Sequence, residues 1–259
     1  MAQADIVRRE SLAELRKLGA WFRSRHGLTI VLLGGWAVYS YNPYVGSFDI
    51  DCLGPDDPFT RYLNIYMKEN GYVLEPESPF GAASERWRKP VLVKETEIDS
   101  IYIDACDFEF RNFFKEDPTK EIPYHLCTRK ELLQLRPISG EYFYVPAKEL
   151  LFLYKTKAAR DREYLVTNTG MPTEGLERLK GKMDKDYSDL VALLDPRAGE
   201  AMSGFVLGDL IREHDISFVV DTISSIPSHP VTREYCLTRS TNESEIRGWI
   251  DKITRDSGF

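Results

Sequence analysis

Leu32-Leu33-Gly34-Gly35-Trp36-Ala37, followed by Ser47-Phe48-Asp49-Ile50-Asp51-Cys52-Leu53, is the stretch on which the reading of this chain turns. Residues 29–33 are apolar and β-branched and read as a buried strand, Gly34-Gly35 as a tight turn, and residues 36–41 as a short helix that Asn42-Pro43 ends. A second strand is expected over residues 47–53. Side chains two apart on a strand project from one face, which puts Asp49 and Asp51 together and sends Phe48, Ile50 and Cys52 the other way. Adjacent carboxylates repel unless a cation lies between them. Hard oxygen donors at this spacing suit Mg²⁺, which takes a couple of carboxylates and completes its shell with water and phosphate oxygens. Glycines, lacking a Cβ, let the backbone come close to a phosphate. Turn and aspartates thus address one kind of ligand, a metal-bound polyphosphate.

Working outward, Ser11 and Glu14 have the spacing of a capping box. Leu12, Leu15, Leu18, Trp21 and Phe22 form an apolar stripe that Gly27 closes, so a helix is expected from Ser11. Downstream, residues 59–70 read as a helix capped by Gly71, and residues 72–74, 87–93, 98–108 and 141–145 as strands. From Ala147 the periods turn helical, over residues 150–164, 176–194, 198–212, 216–223 and 244–254. The change at Val145-Pro146 divides the chain into residues 1–146, mixed α and β, and 147–259, helical. The expected fold class is α+β: a mixed sheet with flanking helices, followed by a C-terminal helical bundle.

Hydrophobic residues at 42% and charged residues at 29% are the balance of a globular chain with a real core. Lys plus Arg is 34 against Asp plus Glu 41, a net charge of −7 that excludes a generally basic nucleic-acid coat but leaves room for local basic patches. The longest apolar run, residues 28–41, is broken by glycines and falls short of the roughly 20 residues that cross a bilayer, so no membrane span is expected. Residues 1–9 carry charges with no apolar stretch after them, which points to a cytoplasmic protein. The four cysteines, Cys52, Cys106, Cys127 and Cys236, and the four histidines are scattered without CxxC or HExxH, against zinc chemistry and a disulfide scaffold.

The apolar residue before Gly34-Gly35 and the later Asp49-Ile50-Asp51 resemble the signature of the nucleotidyltransferase superfamily related to DNA polymerase β. That family adds a third carboxylate on a neighbouring strand. Ile101-Tyr102-Ile103-Asp104-Ala105 offers one in the best strand pattern, with Asp99 and Asp107 as rivals. The helical half narrows the likeness. Val145-Pro146, then Glu149-Leu150-Leu151, Lys155, Ala158, Arg162 and the later Lys185-Asp186-Tyr187-Ser188-Asp189-Leu190 are similar to the AbiEii and MenT toxin-type nucleotidyltransferases. The resemblance implies that Asp49, Asp51 and Asp104 hold two Mg²⁺ ions and that Gly34, Gly35 and Ser47 cradle the phosphates of an NTP, ATP among them. It further implies that Lys155, Arg162, Lys185 and Asp186 serve the nucleotide from the helical side. The implied activity moves an NMP to an acceptor hydroxyl, a tRNA 3′ end or a protein, as the toxin of a pair with a cognate antitoxin. Two alternatives stand beside it: a small-molecule, aminoglycoside-like nucleotidyltransferase, and a nucleotide-binding module without catalysis. One departure is Val45, where the family often has an arginine.

Plainer readings compete. Lys155 and Arg162 could belong to a solvated helix face, since Lys157, Arg160 and Asp161 crowd the same helix. Lys185, Asp186 and Asp189 could be salt-bridge partners, with Asp189 clamping Arg162. Arg86, Arg88, Lys89 and Lys94 read either as an RNA-facing strand or as a basic edge strand that discourages aggregation.

Overall fold

The computed structural model describes residues 3–44, 46–54, 56–76, 84–168, 170 and 172–259, so Val45 lies outside the described residues. The chain forms two compact units, Met1–Phe110 with Pro123–Ala147, and Arg111–Ile122 with Lys148–Phe259.

The first unit is built on a seven-stranded mixed sheet. Its strands are β1 (Val31–Leu32), β2 (Ile50–Gly54), β3 (Val73–Leu74), β4 (Ser84–Val93), β5 (Thr96–Asp107), β6 (Leu133–Ile138) and β7 (Glu141–Pro146). They lie in the order β3-β4-β5-β2-β1-β7-β6, with β2 parallel to β5, β1 parallel to β7, and β1 antiparallel to β2. Helices α1 (Gln3–His26), α2 (Gly34–Tyr41) and α3 (Asp56–Glu69) flank it. Leu15, Leu18 and Phe22 of α1 are buried against the sheet with Ile50, Ile103, Phe143 and Val145, each worth roughly 1.5–3 kcal/mol of burial. Helix α1 comes so close to β7 that a Cβ on Gly19 would meet the Phe143 ring.

One expectation fails here for a physical reason. Helix α1 begins at Gln3 and runs through Ser11 and Glu14, which are buried inside it rather than capping it. Trp36 Nε1, distant in sequence, donates to Ser11 Oγ at 3.1 Å, and Glu14 accepts from its helix neighbour Lys17 and from the distant Lys89 and Tyr72 hydroxyl. Burial alone would raise the Glu14 carboxyl, but the two lysines outweigh it and hold the group below its ordinary range. Strand β6 is not among the strands expected from sequence. Pro137 speaks against a strand, yet β6 lies at the sheet edge, where a residue without an N–H is tolerated.

The second unit is helical: α4 (Lys148–Asn168), α5 (Thr173–Leu194), α6 (Gly204–Glu213), α7 (Val219–Ser225), α8 (Pro230–Arg239) and α9 (Glu243–Ser257). Helix α4 packs on α5 and α7, and α6 on α9, where Gly204 and Gly208 let the backbones meet. Segment 111–122 joins this unit. The Phe114 ring stands edge-on to Phe218 at 4.9 Å, and the Lys115 N–H donates to Asp161 Oδ1 at 2.8 Å. Among the described residues no helix is long and apolar enough to cross a membrane.

Candidate active site

The register of the sheet assembles the site. Asp51 on β2 lies directly opposite Asp104 on β5, and Asp104 lies opposite Arg86 on β4. Directly paired residues share a sheet face, so Arg86, Asp104 and Asp51 form one row across three adjacent strands. Their neighbours Ile50, Cys52 and Ile103 take the other face and are buried in the core. Asp104 is 7% exposed and Arg86 is 9% exposed, while Asp51 is half-buried. Arg86 Nε stands 3.3 Å from Asp104 Oδ1, and its guanidinium lies 4.3 Å from the centroid of the Tyr102 ring.

On its other side the row ends at the glycine turn. The Leu33 N–H donates to the Asp51 carbonyl at 2.9 Å, which ties the turn to the strand. Gly34 has φ +60°, and a Cβ built on it would overlap Asp51 Oδ2, so glycine is required there by conformation and by space. Helix α2 starts at this glycine, and its N-cap, Leu33, provides no side-chain cap. The leading N–H groups and the positive end of the α2 dipole therefore meet the carboxylate row, the arrangement that favours an anion.

Other expected residues fall as follows. Asp49 sits in a bend one residue before the β2 ladder and is half-buried, so the strand argument for a shared face applies to Asp51 with Asp104 rather than to Asp49 with Asp51. Ser47 is buried just before it, and Gly35 lies buried in the first turn of α2. Of the rival carboxylates, Asp107 pairs with Gly54 and Asp99 with Val91, whereas Asp104 is the one in register with Asp51. Both nearby thiols stay protonated: burial first, then Cys106, Asp51 and Asp104, pushes Cys52 well up, and burial first, then Asp107, Asp51 and Asp104, pushes Cys106 up. The charged donors of this face are therefore oxygens. Two carboxylates and a phosphate fit a hard divalent cation of the Mg²⁺ type. Among the described residues no group of three or more His, Cys, Asp and Glu is arranged to hold a metal ion, and the pair Asp51 and Asp104 is the part of the expected set that the ladder brings together.

Arg86 is the residue that sequence reasoning missed as a member of the row; its role depends on strand register, which has no local signal. The other strand cations are also engaged, Arg88 by Glu97 and Lys89 by Glu14, and β4 is flanked by β3 and β5 rather than lying at an edge.

In the helical unit Lys155, Arg162, Lys185 and Asp186 gather into an ion cluster between α4 and α5. Lys155 Nζ lies 2.7 Å from Asp189 Oδ2 and 3.3 Å from Asp186 Oδ1. Arg162 pairs with Asp186, and Lys185 with Asp189 at 3.4 Å. Asp189 thus clamps the two lysines, and Asp186 takes the arginine. Burial would raise the Asp189 carboxyl, but Lys155 and Lys185 outweigh it and hold the group below the ordinary carboxylate range. Lys157 is no surface residue either: it is buried, pairs with Asp161 at 2.5 Å, and burial lowers its ammonium despite that partner. Arg160 pairs with Glu116 and donates to the Phe218 carbonyl at 2.9 Å.

No protein-family model matches the chain, and no curated protein matches it. Among solved structures, the chain is similar to the crystal structure of an antigenic nucleotidyltransferase-like protein from Paracoccidioides brasiliensis. The identity is 15%, over 83% of this chain and 93% of that one, with a TM-score of 0.45.

Proposed function

We infer that the row beside the glycine turn handles a metal-bound nucleoside triphosphate and that the chain transfers an NMP from it to an acceptor hydroxyl. The observation that carries this reading is the in-register pair of Asp51 and Asp104 set against Gly34 at the start of α2. In this reading Asp51 and Asp104, with Asp49 at the mouth of β2, hold Mg²⁺. When bound, such ions neutralise the departing pyrophosphate and make the acceptor hydroxyl more acidic. The chain's own part is positional. The N–H groups of Gly34 and Gly35 donate to the phosphates, with Ser47 adding a hydroxyl donor, and the bare Gly34 admits the phosphate chain close to the backbone. Asp104, the more buried carboxylate, accepts the proton of the incoming hydroxyl at an Oδ atom.

The finer reading rests on the likeness to AbiEii and MenT-type enzymes: a tRNA 3′ end or a protein as acceptor, and a toxin's role with a cognate antitoxin. It also requires Lys155 and Arg162 to exchange Asp189 and Asp186 for phosphate oxygens. The test is incubation with each α-labelled NTP and Mg²⁺ in the presence of total RNA, total protein or aminoglycoside-like alcohols. Label should enter one acceptor class with the wild type and not with Asp51→Asn. Failure of every NTP to label any acceptor would count against transfer.

A further inference from the structure

The position of Arg86 carries a consequence for how the site accepts a metal. It faces Asp104 directly across the β4 and β5 ladder, both side chains are buried, and Nε approaches Oδ1 to 3.3 Å. The approach lacks hydrogen-bond geometry, and Arg86 Nε is a buried donor without a hydrogen-bond partner. A guanidinium locked to a carboxylate makes paired, short, charge-assisted bonds; this one compensates charge without fixing geometry. What holds Arg86 is the Tyr102 ring on the same strand face, a contact that does not depend on Asp104.

We propose that Arg86 is the resident counter-cation of the site: it balances Asp104 in the metal-free protein and competes with a divalent cation for that carboxylate. The inference rests on the metal-nucleotide reading above and makes Arg86 a positioning residue. Two cations of this charge cannot share one buried carboxylate without strong repulsion. Entry of a divalent ion at Asp104 therefore displaces the guanidinium, which stays stacked on Tyr102 beside the row with its charge available to an anion. Bare metal is then held weakly, and a polyphosphate that meets the released guanidinium strengthens its binding.

The test is Mn²⁺ titration of the full chain, free ion being read by electron paramagnetic resonance, for the wild type, Arg86→Gln, Arg86→Lys and Asp51→Asn. Arg86→Gln should bind Mn²⁺ about tenfold more tightly than the wild type, Arg86→Lys should stay near the wild type, and Asp51→Asn should lose binding. Arg86→Gln with unchanged or weaker Mn²⁺ affinity and native near-UV circular dichroism would overturn the proposal while leaving the metal reading intact. No Mn²⁺ binding by any variant, with or without a non-hydrolysable NTP analogue, would overturn the metal reading and the proposal with it. Should Arg86→Gln not fold, the wild type decides: the Arg86 Nε–H resonance should shift when Mg²⁺ is added, and an unmoved resonance under saturating Mg²⁺ would refute the exchange.

Discussion

Gly34→Ala perturbs the candidate site at the point where backbone and carboxylate meet, and a second glycine calibrates it. Gly34 and Gly71 both have positive φ, +60° and +75°, so alanine at either should cost about 1–2 kcal/mol in the left-handed region. At Gly71 a Cβ meets nothing within 4 Å, and that backbone cost is the whole effect. At Gly34 the Cβ overlaps Asp51 Oδ2, so the carboxylate must leave its rotamer, adding about 0.5–1.5 kcal/mol. Urea unfolding followed by near-UV circular dichroism should therefore rank Gly34→Ala below Gly71→Ala, with a total loss of about 1.5–3.5 kcal/mol for the former. Nucleotide transfer separates the two further. A displaced Asp51 should lower turnover by about 10²-fold, whereas Gly71→Ala should leave it unchanged. Equal stability losses together with normal turnover in Gly34→Ala would refute the close approach on which the site is built.

Lys155→Met removes the cation between Asp186 and Asp189 and should cost about 3–5 kcal/mol, read as a lowered midpoint of thermal unfolding. Lys185→Ala should cost about 1 kcal/mol or less, since its side chain is 35% exposed and Asp189 keeps Lys155. Lys157→Ala, which leaves Asp161 buried without its ammonium partner, should be as damaging as Lys155→Met; a silent variant would place Lys157 on a solvated face. Because the Asp189 carboxyl is depressed in the fold, its contribution is complete above the ordinary value of 3.8 and is lost as the pH falls below it. Asp189→Asn should accordingly flatten the fall of the urea midpoint below pH 3.8, and parallel wild-type and variant curves would contradict the assignment.

The parts of this molecule that sequence reveals are those with local periods. The buried strand before Gly34, the aspartate-bearing β2 and the long strand around Asp104 follow from alternation and β-branching, and the helical periods after Ala147 from apolar spacing. What stayed hidden depends on register and on partners far along the chain. Nothing near Arg86 says that it faces Asp104, because that pairing is set by how β4 and β5 meet. Ser11 and Glu14 imitate a helix cap because Trp36 and Lys89, which satisfy them, are remote in sequence. Lys157 looked solvated because lysine usually is; the burial of both faces of α4 reflects its position among α5, α7 and segment 111–122. The row of Arg86, Asp104 and Asp51 is thus half legible, its acids by pattern and its cation only by topology.

Whether Asp51 and Asp104 beside the Gly34 turn form a metal-dependent nucleotide site is decided by calorimetric titration of the full chain with each NTP, with Mg²⁺ and with EDTA. At least one NTP should bind in a manner that requires Mg²⁺ and weakens by about tenfold or more in Asp51→Asn, at native circular dichroism, since one removed carboxylate takes away a charge that the bound ion needs. NTP binding of equal strength in Asp51→Asn and the wild type, unaffected by EDTA, would contradict it.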